Sequence, residues 1–284
     1  KANSYTGGTT NKGGGVLNFG TFPGAFGSGP IVMQGASLEG TNNLTLANAI
    51  QFATGTSNAV NANGGGTFLM SGNISGAGQV ALFTDQSIKG VDLSGDNSTF
   101  SGTLTLADIE PIVLRFRSPV SASALATFEL GDVPSATLGA INSTAPATFQ
   151  LGALTGGANA VLTGHASSAL GYDVTWEIGG LGTSTTFAGT ITDGAQAGGP
   201  NNTSLRKVGA GTLTLTGFHT YTGDTTISNG VLSISQPTLP VVSDVVIAAA
   251  GQLNLNFSGT NVVKTLTIAG VPKANGTYGA TGSG

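Results

Sequence analysis

Short runs in which apolar and polar residues alternate recur along the whole chain, with glycine between them. Thr212-Leu213-Thr214-Leu215-Thr216 is the clearest, bounded by Gly209, Gly211 and Gly217. Gln252-Leu253-Asn254-Leu255-Asn256-Phe257, Lys264-Thr265-Leu266-Thr267-Ile268, Asn43-Leu44-Thr45-Leu46 and Val80-Ala81-Leu82-Phe83 follow the same rule. A period of two predicts strands with one face in a core and the other in solvent. No stretch of helix length carries a 3.6-residue amphipathic period. Glycine sits where the backbone must turn, and Asn or Asp supplies most other corners. Residues 105–125 depart most from the pattern, with Pro111, Pro119 and the basic pair Arg115 and Arg117, and are expected to form an irregular coil or a protruding loop.

The strands belong to repeats. One phrase returns four times, as Ser4-Tyr5-Thr6-Gly7, Thr99-Phe100-Ser101-Gly102, Thr186-Phe187-Ala188-Gly189 and Thr220-Tyr221-Thr222-Gly223. Laying residues 1–14 on 217–230 places Tyr5 on Tyr221, Gly7 on Gly223 and Thr9-Thr10 on Thr225-Thr226. A second phrase runs Thr127-Phe128-Glu129-Leu130-Gly131, Thr148-Phe149-Gln150-Leu151-Gly152 and Thr175-Trp176-Glu177-Ile178-Gly179, with offsets of 21 and 27 residues. Such self-similarity is the mark of a stacked array. Coils of this length predict an all-β solenoid, a parallel β-helix of about a dozen coils running as one unit over residues 1–284. If the copies stack, Phe128, Phe149 and Trp176 form an internal aromatic ladder with steps of about 4.8 Å. Glu129, Gln150 and Glu177 then form an outward polar ladder. The aromatics Tyr5, Phe100, Phe187 and Tyr221, with Gly7, Gly102, Gly189 and Gly223, would staple one coil to the next.

Composition narrows the class. Only 8% of residues are charged, against about 25% in ordinary domains. Gly accounts for 47 of 284 residues, and hydrophobic residues make up 39%. The chain therefore has the material for a core, with Ser, Thr and Asn replacing charge on the surface. Its net charge is −4, and nine basic residues are scattered over the length. That distribution has no footprint for nucleic acid. No apolar run is long enough for a membrane-spanning helix, so no membrane insertion by this chain is expected. Cysteine is absent, which removes disulfides, thiolate metal sites and cysteine nucleophiles.

The segment Lys207-Val208-Gly209-Ala210-Gly211-Thr212-Leu213-Thr214-Leu215-Thr216-Gly217, with His219-Thr220-Tyr221-Thr222-Gly223-Asp224-Thr225-Thr226 and Gly230-Val231-Leu232, resembles the autotransporter-associated β-strand repeat, also called the passenger-associated transport repeat. The resemblance implies a right-handed parallel β-helix of a bacterial passenger, located outside the cell or on its outer surface, in which the repeat helps the passenger fold as it emerges. The chain departs from a complete autotransporter in lacking the alternating strands and aromatic girdles of a translocator barrel.

Candidate chemistry is sparse. Carboxylates Glu129 and Glu177, each one coil from Gln150, would lie about 9–10 Å apart, at the upper edge of the inverting-glycosidase range. A solvated ladder that keeps a sheet face wet explains them as well, since no further Asp, Arg or Lys cluster accompanies them. His165 and His219 have no companion ligands at useful spacing, whereas a metal needs several convergent donors. Asp92, Asp96 and Asn97 form a loose acidic turn without the calcium nonapeptide pattern. Arg115 and Arg117 read as a solvated pair able to meet an acidic partner. No cofactor is expected. The sequence thus predicts a structural passenger segment without catalysis: a stalk, an adhesive rod or a filament subunit. A carbohydrate-binding or polysaccharide-cleaving β-helix is the alternative. Neither end shows a cap in the sequence, and an open coil end templates another chain, so end-to-end self-association is expected beside a glycan or cell-surface partner.

Overall fold

The computed structural model describes residues 3–278, except 21, 23, 42, 64–65, 85–89, 108–109, 132–135, 142–144, 167–171 and 195–200. Among the described residues all regular structure is β apart from one 3₁₀ turn at Pro119–Ser121. The strands form sheets of 15, 7 and 4 members, wound as a solenoid of about ten turns. One coil shows the plan: Ile74–Gly76 lies in the smallest sheet, Gln79–Thr84 in the largest and Gly90–Leu93 in the third. The chain then climbs one step, and Thr103–Leu106 pairs in parallel with Gln79–Leu82.

Alternation builds the interior directly. Leu104, Phe128 and Leu154 occupy one register position on three successive coils, and all three are buried. Thr103 and Thr105, their polar neighbours, face out. Each fully buried Leu or Phe contributes roughly 1.5–3 kcal/mol, and one such column runs beside another for the length of the core. The widest side chain, Trp176, is wholly buried and donates its indole N–H to the carbonyl of Thr163 at 3.1 Å.

The stretch 105–125 is more regular than its prolines suggest. Ile112–Phe116 is a full rung of the 7-stranded sheet and carries Phe116 into the core. Pro111 stands just before that strand, where its missing N–H costs nothing, and Pro119 opens the 3₁₀ turn. The irregularity is a register shift between Ser123 and Thr127, a bulge that leaves Leu125 exposed.

Corners are held by asparagine. Asn58 accepts from the backbone N–H groups of Gly35 and Ala36 at 2.9 and 3.3 Å and donates to the carbonyl of Gln79 at 3.1 Å, joining three coils with one side chain. Asn97 does the same between Ile74 N–H at 2.7 Å and the Ser121 carbonyl at 3.0 Å. Asn48 donates to the carbonyls of Gly27 and Gly29. An amide has donors and acceptors on one head, so it can tie the coil below to the coil above without burying a charge.

The four copies of the first phrase divide into two kinds. At Phe100-Ser101-Gly102 the ring folds back over the glycine, and a Cβ on Gly102 would fall 2.8 Å from that ring and against the Gly78 carbonyl of the coil beneath. Gly189 repeats this with Phe187 and the Ala160 carbonyl. At the tyrosine copies the ring instead makes a hydrogen bond: Tyr5 to Thr9 and Tyr221 to Thr225, both at 2.7 Å. Phe100, Phe187 and Tyr221 are buried, whereas Tyr5 is 41% exposed. Gly102→Ala is therefore expected to lower unfolding free energy by roughly 1–3 kcal/mol through overpacking, while Gly7→Ala, with nothing within 4 Å of its added carbon, stays near wild type. Chemical denaturation of both variants checks the contrast.

Candidate functional site

The outward ladder does not assemble as three copies. Gln150 pairs with Glu177, its Nε2 donating to Oε1 at 2.7 Å. Glu129 instead faces Thr105 on one side and Thr155 on the other, and accepts from the Thr105 hydroxyl at 3.1 Å. Gln150 and Thr155 are on the same strand, Ala147–Gly156, five residues and on the order of 15 Å apart. The two carboxylates therefore lie on different parts of the coil, beyond the reach of a shared glycosidic bond. Glu177 is further occupied by Arg206 at 3.3 Å.

The aromatic ladder is corrected in the same way. Phe149 packs against Trp176 in a tilted arrangement with ring centres 5.3 Å apart, but Phe128 pairs in register with Leu154. Phe116, arriving from the 7-stranded sheet, joins them: its ring lies 5.6 Å from Phe128, 6.0 Å from Phe149 and 6.2 Å from Trp176. The physical reason is that a coil has several faces, and the same alternating phrase can fill any of them. Repetition identifies a strand, not the face on which it lies.

Two charged side chains, Asp92 and Lys207, are buried, which the alternation of apolar and polar residues does not indicate. Asp92 is 0% exposed and sits beneath two guanidinium groups. Arg115 Nε donates to Oδ1 at 2.6 Å, Arg117 Nε donates to Oδ2 at 2.8 Å and Arg117 Nη2 also donates to Oδ2. Arg115 extends to the Thr67 hydroxyl at 3.1 Å. Arg115 and Arg117 are thus spoken for within the fold rather than offered as a solvated pair. Asp92 likewise leaves the acidic turn: Asp96 accepts from the Ser98 hydroxyl and amide, which hold its carboxyl below the usual range, and Asn97 is a buried corner bridge. Register would have revealed the cluster, because Asp92 pairs directly with Arg115.

Lys207 is the second. It is 1% exposed, and its ammonium donates to the carbonyls of Val208, Gly209 and Asn229 at 2.6, 2.8 and 3.1 Å. Three donors meet three acceptors, so the charge is solvated by backbone dipoles, and burial pulls its pKa down. The signal was present in the sequence as a lysine running into Gly209 and Gly211. Nearby, His219 accepts the Ile191 N–H on Nδ1 at 3.1 Å, and burial pushes the Tyr221 hydroxyl up to about 12.

An open groove of about 350 Å³ lies on the outer side of the 7-stranded sheet, lined by residues including Val161, Thr163, His165, Thr192 and Asp193. Asp193 is engaged there by Thr203 N–H at 2.7 Å and by the Thr222 hydroxyl at 2.6 Å. Among the described residues no group of three or more His, Asp or Glu side chains converges to hold a metal ion, and no helix is long and apolar enough to cross a membrane.

These features define a class, a parallel β-solenoid whose chemistry is spent on holding coils together. Residues 205–234, which contain Lys207, His219 and Tyr221, match the family model Passenger-associated-transport-repeat. The chain belongs to the autotransporter-associated repeat family of exported β-helix proteins. It is 30% identical over 239 residues to a protein described as Adhesin BmaC autotransporter from Brucella suis biovar 1 (strain 1330). That match takes in 78% of this chain but 6% of the relative, so the chain spans a small fraction of the relative's length. No solved structure matches the chain.

Asp92→Ala would strand two guanidinium groups over a buried face and is expected to cost roughly 3 kcal/mol. Lys207→Met, which leaves three inward carbonyls without donors, should cost about 2 kcal/mol or more. Glu177→Gln on the wet face should change stability by less than about 1 kcal/mol. Urea titrations of the three variants give the ranking.

Proposed function

We propose that this chain is a rigid spacer within an exported, cell-surface passenger of the adhesin type, holding other parts of that passenger away from the bacterium. The observation that carries the reading is the continuous parallel register. Coil follows coil from Thr9–Lys12 to Thr265–Ile268, the interior is filled by side chains, and the hydrophilic faces are made of Thr, Ser, Asn and Gln. Ten turns at about 4.8 Å each give a rod of about 50 Å. Such a rod transmits position and load through hydrogen bonds along its axis and requires no bound ligand.

The relative's printed description as an adhesin supports placement on the cell surface. The carbohydrate-cleaving alternative loses its geometric basis once Glu129 and Glu177 are separated. Sidewall binding is the remaining rival, because hydroxyl and amide ladders are suited to hydrogen-bonding a glycan.

Two measurements on the purified chain separate the spacer from an adhesive rod. Small-angle scattering should return an elongated particle about 50 Å long with a constant cross-section. Immobilised glycans and host-cell surfaces should retain none of it. Saturable retention by either would overturn the spacer reading and make the sidewall an adhesive surface.

A further inference from the structure

At Asn58, Asn97, Asn261 and His219 a side chain accepts a backbone N–H of the coil beneath, and of these four only His219 can be ionised. Asn97 accepts the N–H of Ile74 at 2.7 Å, and Asn261 accepts the N–H of Leu239 at 2.9 Å. At the histidine corner His219 accepts the N–H of Ile191 at 3.1 Å on its Nδ1 atom. The carbonyl of Ile191 is taken by the N–H of Thr220 at 2.8 Å, so both polar backbone groups of Ile191 are tied to the 219–220 corner.

From this geometry we propose that His219 is an acid-released latch, holding the corner 217–222 of the passenger repeat to the coil beneath it at neutral pH and letting it open on acidification. The chemistry is simple. An imidazole that accepts on Nδ1 carries its proton on Nε2 and is neutral. Protonation places a second N–H on Nδ1, directly facing the N–H of Ile191, and the bridge is lost. His219 is 4% exposed and its Nε2 meets no hydrogen-bond partner among the described residues, so a charge created there is buried without a protein acceptor among them.

Among the described residues no neighbouring charge offsets this. Asp193, on the coil beneath, is held by the backbone N–H groups of Thr203 and Thr222 and by the Thr222 hydroxyl. Asp224 accepts from the N–H of Asp244 at 2.8 Å. Lys207 is enclosed by its three carbonyls. Tyr221, whose ring centre lies 6.5 Å from that of His219, is bound to Thr225. Burial accordingly lowers the His219 pKa from 6.5 to about 4. The closed corner is fully favoured above the ordinary histidine pKa. It loses ground as pH falls from 6.5 towards 4 and levels off below that. The amide corners at Asn58, Asn97 and Asn261 have no proton to gain, so among these four bridges acid acts on His219 alone.

Amide hydrogen exchange, corrected for the intrinsic pH dependence, reads the latch at Ile191 and across 217–222. Opening at pH 5 should be about 20-fold more frequent than at pH 7, with little change at Ile74 and Leu239. His219→Asn, which keeps an acceptor as the other corners do, should abolish the difference, and His165→Gln should preserve it. Equal acid response in His219→Asn, or none in the wild type, overturns the proposal. The wild-type His219 ring also reports by nuclear magnetic resonance, independently of whether any variant folds. Titration near 4 is expected, and titration near 6.5 contradicts a latch.

Discussion

Everything in this molecule is constrained by one spacing. Parallel coils in register set each side chain about 4.8 Å from its counterpart above and below, so every position must tolerate a near-copy of itself at that distance. Two like charges so placed repel by about 1 kcal/mol in water and by several times that on a half-buried face. Leu, Thr and Asn stack at no such cost. The low charge content, the hydroxyl-rich faces and the amide corners all follow from that constraint. Where charge does enter the stack it is neutralised on the spot: Asp92 by guanidinium groups of the next coil, Lys207 by three backbone carbonyls.

Much of this was legible in the sequence, because alternation and glycine placement are local. Thr212–Leu215 forms a strand with Leu213 and Leu215 buried, as its pattern dictates. The pairing of Phe149 with Trp176 and of Gln150 with Glu177 also follows from the aligned phrases. What was not legible is which face of the coil a phrase occupies. Phe128 lies in the same phrase as Phe149 yet packs in register with Leu154, because the coil at that point is 26 residues long (128 to 154) and the phrases are only 21 apart. The error carried over to the site, since a shared column was the only reason to bring Glu129 and Glu177 together. The Asp92 cluster escaped for the same reason: its members lie 23 and 25 residues apart in the chain and meet through register alone.

The passenger repeat is where the unusual polar groups gather. Within residues 205–234 a caged lysine, a bridging histidine and a buried tyrosine hydroxyl occupy successive corners. Each joins its coil to an adjacent one or locks its own turn. A segment built this way has its specificity in its own neighbours, which suits a rod better than a receptor. Its rigidity is also uneven, since a corner held by imidazole responds to acid and corners held by amides do not.

Register is therefore the claim on which the rest stands, and the absence of cysteine makes it directly measurable. Paired cysteines placed on the outer faces will oxidise to a disulfide when their Cα atoms are within about 7 Å. The pair Gln150→Cys with Glu177→Cys and the pair Glu129→Cys with Thr155→Cys should both cross-link rapidly, because each joins register partners. Glu129→Cys with Gln150→Cys should remain reduced. Efficient cross-linking of that last pair would place the three repeated phrases in a single column and contradict the architecture described.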